Sequence, residues 1–130
     1  EAVCLFLQHA PDQERARAEF ARLAPVLRAT VALDPAAHGR AHTPLDLARR
    51  PDDWARTLFT DAEINAHLDA LAAAQEEDGG WRYRDTWSPG PDMEQRGAYT
   101  VDCLLTLRAY GRLSRPASGS VPRPTPPARA

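Results

Sequence analysis

Trp87, Glu94, Arg96 and Tyr99 bring two aromatic rings, a carboxylate and a guanidinium together in one short stretch of the chain. Aromatic faces attract cations, and a paired acid and base can hold a small polar ligand. This set is the strongest candidate for ligand binding. The plainer reading has Glu94 and Arg96 capping or pairing at the start of the last helix, with the rings in the core. Other chemistry-bearing residues are less promising. Asp52-Asp53 sits at what reads as a helix start, where carboxylates meet the positive end of the helix dipole. Asp102 and Cys103 are neighbours, and adjacent positions on a helix point about 100° apart, so they do not face one ion. His38 and His42 have a spacing of four, which suits zinc only on a helix, and Gly39 and the nearby prolines oppose one there. His9 reads as a solvated loop residue, and His67, beside an apolar stripe, as a half-buried packing residue. Ser88 lies in no strand-turn-helix elbow and the other serines fall in the tail, so no nucleophilic triad is indicated. Gly79-Gly80 is the only glycine pair and the chain holds no lysine, which excludes a phosphate loop. Catalytic residues stay unassigned, and no metal and no cofactor are expected.

The elements that must position these groups centre on residues 71–81. Leu71-Ala72-Ala73-Ala74-Gln75 closes an apolar helix, Glu76-Glu77-Asp78-Gly79-Gly80 turns, and Trp81 follows. Upstream, Thr60 and Glu63 have capping-box spacing, with Phe59 and Ile64 placed for a hydrophobic staple. Ile64, Leu68, Leu71, Ala72 and Gln75 then share one face. The glycine turn is expected to end that helix, since glycine accepts the left-handed backbone a helix C-terminus often needs.

The spacing Gln-x3-Gly-x-Trp at Gln75, Gly79 and Trp81 resembles the repeat motif of the squalene-hopene cyclase and prenyltransferase superfamily, the α/α-toroid proteins. The likeness runs on through Trp87, Glu94-Gln95-Arg96-Gly97 and Leu107-Arg108-Ala109-Tyr110-Gly111-Arg112. It covers about residues 60–113 and is similar to a variant repeat of uncharacterised bacterial proteins. The resemblance implies an all-α fold built as part of an α/α toroid, in which helix pairs stack into a ring. It gives Gln75, Gly79, Gly80 and Trp81 structural roles: the glutamine caps a helix end, the tryptophan packs against the turn, and the glycines let the chain turn tightly. It also lets Trp87, Glu94, Arg96 and Tyr99 face a central cavity, where an aromatic wall would suit an isoprenoid-like small molecule. The acid motif Asp-x-Asp-Asp of the cyclases is absent from this sequence.

The rest of the chain follows a helical pattern with interruptions. Ala2 to Gln8 reads as the last turns of a buried helix. Asp12 is an N-cap for a helix carrying Ala16, Phe20, Leu23 and Leu27 on one stripe, with Pro25 expected to kink or restart it. Residues 34–50 read as one long loop, and Pro51 as the first turn of a short helix over Asp52–Leu58. The last helix, from about Arg96 to Tyr110, carries Ala98, Val101, Cys103, Leu104, Leu105 and Leu107 on more than one face, as a helix buried on several sides would. Gly111 is expected to cap it. Residues 114–130 hold five prolines and only Val121 as a large apolar residue, which predicts a disordered tail.

With 130 residues, 43% of them hydrophobic, the chain can bury one core. A net charge of −2 gives no reason to expect nucleic acid as a partner. No apolar run suffices for a membrane span. All 16 basic residues are arginine, a compositional bias rather than a scattered phosphate site. Cys4 and Cys103 are too few for a disulfide framework and lie in apolar runs, so a reducing, cytoplasmic setting is expected. The chain reads as two parts: residues 1–113, the C-terminal portion of a toroid from a longer protein, and the tail, 114–130. The preferred function is a toroid repeat protein whose visible residues are mainly structural. One alternative is the C-terminal part of a terpenoid cyclase or transferase with its acid upstream. The other is a protein-interaction module that contacts a partner through the 34–50 loop or the tail; self-association through exposed toroid faces is a separate expectation.

Overall fold

A computed structural model describes residues 2–37, 41–83 and 92–113. These residues form five α-helices: α1 (Ala2–Gln8), α2 (Gln13–Ala29), α3 (Pro44–Leu47), α4 (Asp61–Ala73) and α5 (Asp92–Ala109). A 3-10 turn over Trp54–Leu58 links α3 to α4. The architecture is all-α, and no strand occurs among the described residues; Val31 and His42 make a single isolated bridge. Trp87 and the tail lie outside the described residues, as do His38 and Ser88.

The helix starts follow local chemistry. Asp12 Oδ1 accepts the Arg15 N–H at 3.0 Å and opens α2. Thr60 accepts the Glu63 N–H at 3.2 Å while Glu63 accepts the Thr60 N–H at 2.9 Å, completing the reciprocal box of α4. Phe59 and Ile64 both enter the core, as the staple positions require. At the other end of the chain, Gly111 adopts φ 69°. Its N–H reaches Arg108 O and the Arg112 N–H reaches Leu107 O, the paired bonds of a left-handed helix stop.

Several expectations are corrected. Pro25 does not break α2, which runs unbroken from Gln13 to Ala29; the Pro25 ring is exposed, and only the one backbone N–H is given up there. The loop read over residues 34–50 contains α3, opened by a Thr43–Asp46 capping box with Pro44 in the first turn. Leu45, Leu47 and Ala48 from this segment are core residues. The predicted helix over Asp52–Leu58 shrinks to the 3-10 turn. α4 ends at Ala73, before the glycines: Ala74 caps it with right-handed backbone, and Gly79 uses its positive φ of 85° in the following turn. α5 begins at Asp92 rather than near Arg96. Nor is α5 buried on several sides, because Val101 and Leu105 stand 53% and 56% exposed, one turn apart. α1 likewise buries only Cys4 and Leu7, leaving Phe6 72% exposed.

One hydrophobic core runs through all of these segments. Trp81, Ile64, Leu68 and Pro44 are its most completely buried large side chains. Long-range polar bonds pin the connecting segments to it. The Tyr110 hydroxyl donates to Ala48 O at 2.8 Å, and the Trp54 N–H donates to Gln8 Oε1 at 3.3 Å. Trp54 also meets Phe20 edge to face at 5.8 Å. Arg28 donates to Leu58 O at 2.7 Å and grips both Glu63 oxygens, at 3.0 and 2.7 Å.

Candidate functional site

Two recesses flank the segment after α4. The first is a pocket of about 250 Å³ between α3, α4 and α5. Leu45, Ala70, Leu71, Ala74 and Trp81 make its apolar wall, and Tyr99, Asp102, Cys103 and Thr106 contribute one face of α5. Arg49, from the segment after α3, lies 3.6 Å from Asp102, and both are about half exposed. The second is a shallow groove over Asp78, Gly79, Gly80, Arg96, Gly97 and Thr100.

The wall residue Trp81 is held from two directions. Its indole N–H donates to Leu71 O, near the end of α4, at 2.7 Å. Its backbone N–H donates to Thr100 Oγ1 on α5 at 3.1 Å. The turn that delivers it is closed by Glu76 N–H to Gly80 O at 2.8 Å and Gly79 N–H to Glu76 O at 2.9 Å. Gln75 Nε2 donates to Gly79 O at 2.9 Å. The glutamine thus locks its own turn rather than the end of a neighbouring helix.

Arg96 braces the same turn from outside. Its Nη2 reaches Glu76 Oε2 and Asp78 Oδ1, both at 2.7 Å. Arg82 adds a second contact to Glu76 at 3.1 Å. The Arg96 guanidinium, with help from the Gly80 N–H, holds the Asp78 carboxyl below its ordinary range. Asp78 and Glu76 in turn push Arg96 above its own. The arrangement explains Gly80. A Cβ there would stand 2.7 Å from Arg96 Nη2, closer than side chains tolerate.

The candidate set from the sequence is divided by this geometry. Arg96 belongs to the outer groove and Tyr99 to the inner pocket. Glu94 is exposed, and Trp87 lies outside the described residues. Tyr99 stacks edge to face with Tyr83 at 5.6 Å. Gln75, Gly79, Gly80 and Trp81 are brought together, each with a position in one turn.

His67 is the residue that sequence reasoning placed least well. It is 4% exposed rather than half-buried, and its Nε2 meets Leu33 O at 3.1 Å. Its ring also lines the inner pocket, as does the buried Thr106. Among the described residues no group of three or more His, Cys, Asp or Glu side chains is placed to hold a metal ion. His42 is exposed, with its Nδ1 4.0 Å from Asp46, and Asp52 is likewise exposed on the surface. Among the described residues no helix is long and apolar enough to cross a membrane.

No protein-family model, curated protein or solved structure matches the chain.

Proposed function

We propose that this chain is a helical repeat module of the α/α-toroid kind, similar to squalene-cyclase and prenyltransferase repeats, whose recognisable residues are structural rather than catalytic. One observation carries the reading. The donors of Gln75 and Trp81 are spent within the protein: Gln75 on Gly79 O, and Trp81 on Leu71 O and Thr100. A segment so used serves to join α4 to α5. The test is a crystal structure. Successive helix pairs set around a common axis support the reading, and an open bundle without such an axis overturns it.

A second reading has its own observation. Tyr99 and Trp81 line one largely apolar pocket, as the wall of an isoprenoid site would. On that reading the chain serves a terpenoid cyclase or prenyl transferase whose acid lies elsewhere. Farnesol titration tests it: saturable binding lost in Tyr99→Ala supports it, and no binding overturns it.

The exposed Val101 and Leu105 on α5 support self-association or a protein partner at that face. Sedimentation of the chain and of Leu105→Ser checks this, with a monomer in both cases counting against it.

A further inference from the structure

The inner pocket contains an unusual pair of groups. His67 and Thr106 are 4% and 7% exposed, and both line it. His67 Nε2 faces a carbonyl oxygen, Leu33 O, which only accepts, so Nε2 carries the proton and donates. In the neutral ring Nδ1 then holds a lone pair. Neither His67 Nδ1 nor Thr106 Oγ1 has a hydrogen-bond partner among the described residues, although no fully buried side-chain nitrogen or oxygen is left unpaired there. Both atoms therefore keep a small opening, and both residues line the pocket. Buried polar groups without partners cost free energy, so a site that keeps two of them beside an apolar wall is suited to a guest that pairs with them.

The guest's chemistry follows from the lining. The Nδ1 lone pair needs an O–H or N–H donor, and the Thr106 hydroxyl can donate or accept. The walls from Leu45, Leu71 and Trp81 need an apolar body. The charged groups of the lining balance, Arg49 and Arg82 against Asp46 and Asp102, and Arg49 meets Asp102 directly, which favours a neutral molecule. The volume of about 250 Å³ exceeds the roughly 150 Å³ that holds benzene and falls below the roughly 300–1,000 Å³ of sites for drug-sized ligands. We propose that this pocket binds a small neutral aromatic alcohol of the phenol class, with its hydroxyl donating to His67 Nδ1 and paired with Thr106 Oγ1. This proposal is independent of the toroid reading.

The test compares p-cresol with toluene, which share the ring and methyl group but differ by the hydroxyl. Binding is followed by NMR, with the His67 ring and Thr106 methyl signals as reporters. p-Cresol should bind saturably, shift both reporters and exceed toluene in affinity by at least about tenfold, the equivalent of one good hydrogen bond. Thr106→Val, which keeps the shape, should weaken p-cresol several-fold and leave toluene unchanged. His67→Phe should abolish the preference for p-cresol; if that variant does not fold, Thr106→Val decides alone. Equal affinity for the two probes overturns the proposal. So does a lack of saturable p-cresol binding, or shifts confined to residues outside the pocket.

Discussion

The Arg96 guanidinium lies directly over Gly80, with Nη2 2.7 Å from where a Cβ would stand. The same Nη2 bonds Glu76 and Asp78. A side chain at position 80 and the Arg96 bracing thus compete for one space. The far end of arginine is flexible, so Gly80→Ala should be accommodated by releasing Arg96 instead of by moving the backbone. The Tm losses of Gly80→Ala and Arg96→Ala should then be similar, and the double variant should lose no more than either. Additive losses would show that Gly80 is required for another reason.

Gly79 should behave differently. Its φ of 85° is a left-handed backbone that costs an L-residue roughly 1–2 kcal/mol. Gly79→Ala should lower stability by about that amount whether or not Arg96 is present. Denaturant unfolding in both backgrounds checks this.

Trp81 separates bulk from hydrogen bonding. Trp81→Ala removes one of the most buried side chains in the protein and should cost about 3–5 kcal/mol. Trp81→Phe keeps most of the bulk but strands Leu71 O, and a smaller loss of about 1–3 kcal/mol is expected. An unchanged stability in Trp81→Phe would mean that the indole N–H contributes nothing, and losses equal to those of Trp81→Ala would mean that the ring's bulk does not.

Acid should unfold the chain partly through Glu63. The Arg28 side chain, and then the Thr60 N–H, hold its carboxyl down from an ordinary 4.5 to about 2. The folded value is the lower one, so the stability it contributes is present above the unfolded value and lost as pH falls from there towards about 2. Asp78 acts with the same sign. Glu63→Gln should lower Tm at neutral pH and flatten its decline below about pH 5. A variant whose acid limb matches wild type would remove Glu63 from the account.

Alkali should act through Tyr110. Burial pushes its hydroxyl from 10.0 up to about 12, so its stabilising effect is present below the unfolded value and lost as pH rises towards about 12. Tyr110→Phe should cost about 1 kcal/mol through the lost bond to Ala48 O and should weaken the alkaline decline. Tm measured between neutral pH and about pH 11 checks both.

What could be read from the sequence was what local spacing encodes. The Thr60–Glu63 box and the Asp12 cap each act within one turn, so their residues announce them. The Gln75–Trp81 turn was legible for the same reason. α3 carried a local signal too, with Thr43, Pro44 and Asp46 in cap, first-turn and box positions. The surrounding segment has no apolar period, however, and the burial of Leu45 and Leu47 depends on α4. His67 was misplaced because its partner, Leu33 O, is 34 residues away. Arg96 and Tyr99 were grouped because they are close in sequence. They part because positions three apart on α5 open on different neighbours: the 76–80 turn for one, α3 and α4 for the other.

Arg28 ties the last turn of α2 to the first turn of α4, since Glu63 serves both the guanidinium and its own helix cap. Opening the start of α4 therefore requires releasing the end of α2, and the two regions should open as one cooperative unit. Amide exchange near Thr60–Ile64 and near Leu27–Thr30 should slow and quicken together, and Arg28→Ala should uncouple them.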